Sequence, residues 1–450
     1  MDIQGFRGLL TPDGQAVLAA ATGSDVTESG LLATASRLRE RHPAELVSAA
    51  LTQVRLRERA RAKFGPDAGA MYFTRAGLEQ STRASVAAHR ARRFAGYLVP
   101  GDRVLELGCG IGADLIARAR AGRTGEGVEL DPLTAEVARA NLAALGLDDL
   151  ASVRAGDATA EDPAGYAAVF ADPGRRTTRG RVFDPRSYEP PLDTILDLAG
   201  RVPAGCVKVA PGIPYEAIWP EGDAGGSGAI GSVGGRGAGE GGAGTEAEWI
   251  SVGGDVKEAA LWIGGLAGDV RRRATLIPAG LDRGDDPGGD REAEGIVTLT
   301  PEPGLGDPPV GGWGRFLYEP DGAVIRAHLV AEVAAGVGGR LVDPRIAYIT
   351  SDTLVRTPFA AAYEIDDVLP FSLKRLRAEL RRRDVGVLTI KKRGSAVDID
   401  RLRRDLGFGR RGPGGDAELT VVLTRVGDDP VALLTRPAPP AAPFPHRRSS

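Results

Sequence analysis

Glu106-Leu107-Gly108-Cys109-Gly110-Ile111-Gly112 is the stretch on which the fold of this chain turns. The apolar residues 104–107 read as a strand and the alanine-rich run after Gly112 as a helix, so the glycines fall where a strand turns into its helix. Glycine at such a turn lets the backbone bend sharply and approach a ligand with no Cβ in the way. Outward from there the alternation repeats. Residues 125–130 predict a second strand, 135–145 a helix, and 151–154, 167–171 and 206–210 further short strands. Strand alternating with helix predicts a parallel, doubly wound sheet. Residues 248–252 and 257–263, parted by Gly253-Gly254-Asp255, read as a hairpin that would put an antiparallel strand at one edge. The expected fold class is α/β, with a Rossmann-like, mostly parallel sheet.

A dinucleotide-binding loop has the form G-x-G-x-x-G and turns its helix N-terminus toward a pyrophosphate. Here Gly108, Gly110 and Gly112 make an E-x-G-x-G-x-G, with Glu106 just ahead of the glycines. A carboxylate there repels a diphosphate but suits a cationic amino-acid moiety, which favours S-adenosylmethionine over a nicotinamide cofactor. The second strand ends in Gly127-Val128-Glu129-Leu130-Asp131-Pro132, and Glu129 lies seventeen residues past Gly112. Glu129 is placed to accept from two ribose hydroxyls, whereas Asp131 opens the next helix. Gly156-Asp157-Ala158 follows the third strand, where Asp157 can accept from an adenine amino group with Ala158 beside it. Three such features in order, all at strand ends, are far more specific than a lone glycine loop. Cys109 reads as a small side chain in a tight turn, not as a nucleophile.

The fourth strand runs into Asp172-Pro173-Gly174-Arg175-Arg176, the end that faces the reacting group in a sheet of this kind. Methyl transfer from a sulfonium is an in-line displacement, so the protein must position the nucleophile and, where needed, accept a proton. Asp172, with Pro173 next to it, is the candidate for both tasks. Arg175 and Arg176 suit bidentate contact with a substrate phosphate, and Arg176 equally suits an ion pair at the sheet end. Lys208 on the fifth strand and Glu258 beyond it come in the order a lysine-assisted ribose 2′-O reaction would use; Lys208 also reads as an ordinary strand-end charge. Gly174 stands where methyltransferases of exocyclic amines carry a stacking aromatic. Neither Cys109 nor Cys206 sits in a motif suited to attack on a pyrimidine.

The whole chain has 450 residues, enough for two or three domains, with a net charge of −3 and 42% hydrophobic residues. No apolar run reaches the roughly 18 residues of a membrane span, and MDIQGFRGLL has no basic n-region or apolar h-region, so a cytoplasmic protein is expected. The two cysteines and four histidines are scattered, which argues against a metal site or a disulfide framework. Residues 1–97 read as helical: one helix follows His42-Pro43, carrying Leu46, Ala49, Ala50, Val54 and Leu56 at helical spacing. Phe64-Gly65-Pro66-Asp67 breaks it, and a second helix is expected over 76–97. The catalytic domain is expected over 98–278, with a glycine-dominated surface insertion at 221–247. A linker at 279–312 carries a short strand over 296–299, and 437–450 is a proline-rich tail. Residues 313–436 read as a small α/β module: a strand over 363–369, an amphipathic helix over 371–383 with Leu373, Leu376 and Leu380 inward, a strand over 387–390, a helix over 398–406, and a hairpin of 419–425 with 431–435.

Taken together these motifs resemble the bacterial class I methyltransferases that carry a C-terminal THUMP-like domain. Besides 106–112 and 172–176, the matching stretches are Phe73-Thr74-Arg75 with Leu78-Glu79-Gln80, RVFDPRSY at 181–188, KVAPGIP at 208–214, YEPDGAVIR at 318–326 and LTIKKRGSAV at 388–397. The resemblance covers about 70–436 outside the glycine insertion; Gly174 replaces the alanine expected in Asp-Pro-x-Arg-Arg. It implies S-adenosylmethionine as cofactor and, by analogy with THUMP domains, RNA as the partner. Charge supports that independently. From 372 to 411 there are fourteen Lys and Arg against five Asp and Glu, in a chain whose total is −3. Lys374, Arg375 and Arg381 on the amphipathic helix, with Lys391, Lys392 and Arg393 after the next strand, are the expected RNA contacts, through phosphates and shape rather than stacking. The alternative is a small-molecule methyltransferase whose C-terminal module serves as a lid or oligomerisation element.

Overall fold

The computed structural model describes residues 2–25, 27, 29–175, 188–219, 244–281, 295–408 and 415–439. The chain divides into two compact units, Met1–Ile296 and Val297–Ser450.

The first unit opens with four helices, α1 (Ile3–Leu9), α2 (Pro12–Thr22), α3 (Leu31–Arg39) and α4 (Ala44–Phe64). Of these only α4 is legible from hydrophobic spacing. The shorter ones are set by their ends: Asp2 and Thr11 accept from Gly5 N and Gly14 N, and Pro12 occupies the first turn of α2, where no amide bond is lost. Val47, Ala50, Leu51 and Val54 of α4 pack with Phe6, Leu9 and Val17, and the same apolar cluster runs on through Ile111, Leu115, Val137 and Leu142. The helical layer thus shares its core with the glycine loop.

The helix expected over 76–97 is two, α5 (Arg75–Gln80) and α6 (Ala84–Tyr97). Lys63 ends α5 by donating from Nζ to the carbonyls of Leu78, Glu79 and Ser81 at 2.7, 3.0 and 2.9 Å. The break turns Thr82, 5% exposed, inward to accept from Lys208 and Arg90. A polar side chain that must reach buried partners has interrupted a good helical sequence.

The sheet follows, with β1 (Arg103–Leu107), α7 (Ala113–Arg120), β2 (Thr124–Glu129), α8 (Pro132–Ala144), β3 (Ala151–Ala155), β4 (Ala168–Ala171), α9 (Leu192–Gly200), β5 (Ala204–Val209), α10 (Tyr215–Ile218), β6 (Thr245–Val252), β7 (Asp255–Gly264) and β8 (Arg272–Ile277). The strand order is β8-β6-β7-β5-β4-β1-β2-β3. From β5 to β3 every pairing is parallel. The expected hairpin forms, but its antiparallel strand β7 is not at the edge. It is paired on both sides, with β5 and with β6, and β8 continues beyond β6 in parallel. Strand β8 (RRATLI) escaped sequence reading because arginines alternate poorly with its apolar residues. The glycine insertion is also shorter than expected at its C-terminal end, since Thr245, Glu246 and Ala247 belong to β6. Glu246 is fully buried there because Arg93, Arg273 (2.6 Å) and Gly268 N (2.7 Å) neutralise and satisfy it. The remainder of that insertion and most of the 181–188 motif lie outside the described residues.

Two buried amides tie the layers together. Asn141 on α8 accepts from Tyr72 N and donates to Tyr72 O and Ile111 O at 2.6, 3.1 and 3.0 Å. Gln53 on α4 does the same for Phe73 N and O at 3.0 and 2.7 Å. The extended segment before α5 lacks a strand partner, and these side chains satisfy its backbone instead.

The second unit is built on β9 (Phe316–Pro320), β10 (Arg340–Leu341), β11 (Ile349–Ser351), β12 (Ala360–Pro370), β13 (Val385–Lys392), β14 (Ala417–Val426) and β15 (Asp429–Pro437), in the order β10-β11-β9-β12-β15-β14-β13. Helices α11 (Gly322–Arg326) and α12 (Val330–Gly336) follow β9; α13 (Leu373–Arg382) and α14 (Ile399–Asp405) flank β13. Leu376 and Leu380 of α13 are buried and Leu373 packs at the margin of the same cluster, as the spacing predicts. The β14–β15 hairpin forms as expected.

Candidate functional site

The turn from β1 to α7 is left-handed at three points, with φ of 75°, 56° and 88° at Gly108, Gly110 and Gly112. Side chains rarely adopt this region, so the sequence spacing and the loop shape are one fact. A Cβ on Gly110 would meet nothing within 4 Å, which leaves the loop bare on that side. On its other side the loop presses against β2: a Cβ on Gly127 would come within 2.7 Å of Cys109 Sγ. Cys109 fills that contact, and burial pushes its thiol well above the ordinary range. It is a packing residue, as expected.

Glu129, at the end of β2, accepts from Gly110 N and Asp131 N at 2.9 and 3.0 Å, one amide per carboxylate oxygen. Each oxygen keeps a lone pair for a further donor. Asp131 caps α8 by accepting from Thr134, the helix-opening role expected of it. Asp157 is exposed beyond β3; Thr159 donates to it from backbone and hydroxyl, both at 2.8 Å, and holds its carboxyl below the ordinary value. Ala158 beside it is buried. Strand order brings the glycine loop, Glu129 and Asp157 to the C-terminal ends of adjacent strands β1, β2 and β3. An open backbone and acceptors for ribose and adenine fit S-adenosylmethionine.

Glu106 differs from its expected place. It is 2% exposed and paired with Arg118 of α7, so it is not presented alone to a ligand. Burial pushes its carboxyl up to about 7, against the pull of Arg118. It belongs to a larger network that the linear sequence conceals. Arg90 of α6 donates to Asp114 at 3.0 and 2.6 Å and pairs with Glu258 of β7. Lys208 of β5 donates to Asp172 Oδ2 at 2.6 Å and to Thr82 Oγ1 at 3.1 Å, and stands 3.8 Å from Glu258. Arg90 and Arg118 both lie over the Phe170 ring on β4. Four carboxylates (Glu106, Asp114, Asp172, Glu258) thus interleave with three cations (Arg90, Arg118, Lys208). The sequence suggested Glu106 alone beneath the loop; the structure places it in a network of alternating acids and bases.

Asp172 and Pro173 follow β4 directly, and Asp172 O would lie 3.7 Å from a Cβ on Gly108. The Asp172 side chain is 30% exposed, that of Lys208 15% and that of Glu258 4%, so Asp172 is the member that reaches solvent. The order Asp172, Lys208, Glu258 noted in the sequence is thus a physical cluster. Arg176 lies outside the described residues. Arg175 pairs through its backbone with Tyr188, whose hydroxyl accepts from Ala210 N at 2.6 Å just past β5.

A second buried cluster braces β6 and β7. Glu248, 1% exposed, accepts from His89 at 2.8 Å and Trp262 Nε1 at 2.9 Å and is bonded by Thr275. Burial alone would raise its carboxyl, but His89, Thr275 and Arg93 outweigh that and hold it at about 2. A depressed carboxylate stabilises the fold above its unfolded value near 4.5, and that contribution is lost as pH falls toward 2. Glu248→Gln is therefore expected to flatten the loss of stability across this window relative to the parent, measured by denaturant unfolding at several pH values. Equal slopes would contradict the assignment.

In the second unit Lys374, Arg375 and Arg381 are exposed on α13, and no carboxylate pairs with them among the described residues. The other three basic candidates have partners within the unit, but only Lys391 meets a carboxylate. Lys391 donates to Glu319 at 2.6 Å and lies over the Tyr363 ring, Arg393 covers Tyr348, and Lys392 donates to Val397 O at 2.7 Å. Lys391 and Arg393 are thus half-buried, held against ring faces and, for Lys391, a carboxylate of this unit. Among the described residues no cluster of His, Cys, Asp or Glu has the arrangement of a metal site, and no helix is long and apolar enough to cross a membrane.

Comparison with known proteins bears on the family and the fold. An S-adenosylmethionine-dependent methyltransferase of Mycobacterium tuberculosis, carried as uncharacterised in strains H37Rv and CDC 1551, is 37% identical over 388 residues, covering 84% of this chain and 93% of the relative. A crystallised candidate methyltransferase of Porphyromonas gingivalis W83 shares the fold with a TM-score of 0.68 at 22% identity, over 94% of this chain and 99% of that one. Residues 360–437 match the THUMP domain-like family, and residues 2–60 a domain of unknown function, DUF8688. The chain belongs to the S-adenosylmethionine-dependent methyltransferases, with a THUMP-like domain toward its C-terminal end.

Proposed function

We propose that this methyltransferase acts on RNA, ribosomal or transfer, and that its THUMP-like domain holds the acceptor. The observation that carries the reading is the unpaired basic face of α13, where Lys374, Arg375 and Arg381 stand exposed on that domain. Basic side chains with no internal partner are what phosphate contact requires. Glu129 would take the ribose hydroxyls of S-adenosylmethionine, Asp157 and Ala158 the adenine, and the bare backbone of Gly108, Gly110 and Gly112 the amino-acid end, with Glu106 acting through the network below. The bound cofactor supplies an electrophilic methyl group.

The residues of the chain then do three things. Asp172 accepts a hydrogen bond from the acceptor atom and aligns it for in-line attack, and Pro173 fixes the turn that presents it. Lys208 positions Asp172 through the 2.6 Å bond and is itself steadied by Thr82 and Glu258. The bond from Lys208 holds the Asp172 carboxylate in one orientation, which suits it to aligning the acceptor atom. Arg176 is retained as a candidate contact for a substrate phosphate.

The test is RNA binding by the full chain with Lys374, Arg375 and Arg381 all changed to Gln. Affinity is expected to fall on the order of tenfold or more, and the dependence of log K on log salt to weaken by about 2. Unchanged binding with an unchanged salt slope would remove α13 from the RNA surface. Absence of RNA binding by the parent would favour a small-molecule acceptor, with the THUMP-like domain as lid or oligomerisation element.

A further inference from the structure

The helical layer contains a cavity of about 580 Å³ between α3 and α4, separate from the groups that face the glycine loop. Its floor is apolar: Leu31, Ala35, Leu51 and Phe73 line it, the last three buried. Its mouth carries Arg39, Arg55, Arg59 and Arg75. Among the described residues no carboxylate pairs with Arg39 or Arg55. Glu79 approaches Arg59 and Arg75 at 3.7 and 3.5 Å, but all three side chains are more than half exposed, so solvent screens those contacts. Arg55 and Arg59 stand one turn apart on α4, a spacing at which like charges disfavour a helix. Leu32 at the rim is 79% exposed. An apolar cavity ringed by guanidinium groups fits a ligand with a flat apolar part and an anionic part, and its volume lies in the range of small-ligand sites.

The wall of this cavity is rigid and reaches the cofactor loop. Phe73 is clamped by Gln53, and Thr74 caps α5 by accepting from Gly77 N at 2.9 Å. Gly77 lies so close to Ile111 that a Cβ there would come within 2.4 Å of its side chain. The segment lining the pocket is therefore packed on the glycine loop itself.

We propose that this pocket receives a nucleotide of the acceptor RNA in single-stranded form, its base against the Leu31–Leu51 floor and its flanking phosphates on the four arginines. The inference rests on the RNA reading above and adds to it a second contact surface, on the domain that carries the cofactor. Ser48 and Thr52 lie on the same face of α4 and offer hydroxyls to base edges or a 2′-hydroxyl.

The probe is a fluorescein-labelled, unstructured RNA oligonucleotide, titrated by anisotropy against the full chain between about 50 and about 200 mM salt. Changing Arg39, Arg55 and Arg59 together to Gln is expected to weaken binding about tenfold or more and to lower the salt slope by about 2, at roughly 0.7 per phosphate contact. Thr52→Trp, which fills the mouth and keeps every charge, is expected to weaken binding with the salt slope kept. All these positions are exposed, and an unchanged melting temperature and S-adenosylmethionine affinity will certify the fold. If both variants bind like the parent while the α13 triple variant does not, the pocket proposal is overturned and the RNA reading stands. If the parent binds transfer RNA but not the oligonucleotide, the pocket proposal is overturned and the RNA reading stands; if it binds neither, both are overturned.

Discussion

Asp172→Ala is expected to lower the rate of methyl transfer by roughly 10²- to 10⁴-fold, the range associated with losing a positioned acid–base group, while S-adenosylmethionine still binds. The reason is geometric. Asp172 ends the fourth strand beside Gly108, is more exposed than Lys208 or Glu258, and has Lys208 to hold it in one orientation. Asp172→Asn keeps the shape and loses the charge, so it separates alignment from proton acceptance. If Asn restores most of the rate that Ala loses, alignment dominates; equal losses assign the work to the carboxylate. Single-turnover rates at saturating cofactor decide this, and full activity in the Ala variant would take Asp172 out of the mechanism.

Arg90→Met is expected to cost about 3–5 kcal/mol of stability, the usual consequence of leaving buried carboxylates without their cation. Arg90 is 1% exposed and serves both Asp114 and Glu258, themselves 5% and 3% exposed. Without it, those acids keep only the more distant Lys208 and Arg118, and proton uptake relieves part of the buried charge. The variant should therefore regain stability as pH is lowered through the raised pKa values, opposite in sign to the acid loss expected from Glu248. Adding Asp114→Asn should recover part of the deficit. Chemical denaturation as a function of pH measures both effects, and a variant as stable as the parent would show that the network contributes no net stabilisation.

The glycine loop and the acids proposed to hold the cofactor were legible in sequence because their geometry is local. Three glycines at alternate positions, an acid at the end of the next strand and Gly-Asp-Ala after the third are each fixed by a neighbouring turn. The C-terminal module was legible for the same reason: α13 buries Leu376 and Leu380 at helical spacing, and its basic face is a property of one helix. What stayed hidden was long-range. Arg90, Asp114, Glu246, Glu248 and Glu258 look like surface charges along the chain, yet each is buried beside a partner tens of residues or more away. The break at Ser81–Arg83 carries no glycine or proline; it exists because Thr82 must meet Lys208, 126 residues on. Lys391 and Arg393 read as a basic patch, and only the fold shows that Glu319, Tyr363 and Tyr348 contact them. Strands β9 to β11 escaped because Phe316–Pro320, Arg340–Leu341 and Ile349–Ser351 are too short to show a period.

The most direct test of the account is transfer of radiolabelled methyl from S-adenosylmethionine to total RNA from a strain lacking this gene, followed by nucleoside mass spectrometry. The account predicts label in a single methylated nucleoside, lost with Asp172→Ala and weakened when the α13 arginines and lysine are neutralised. Label in no RNA species, with cofactor binding confirmed on the same preparation, would contradict RNA as the acceptor.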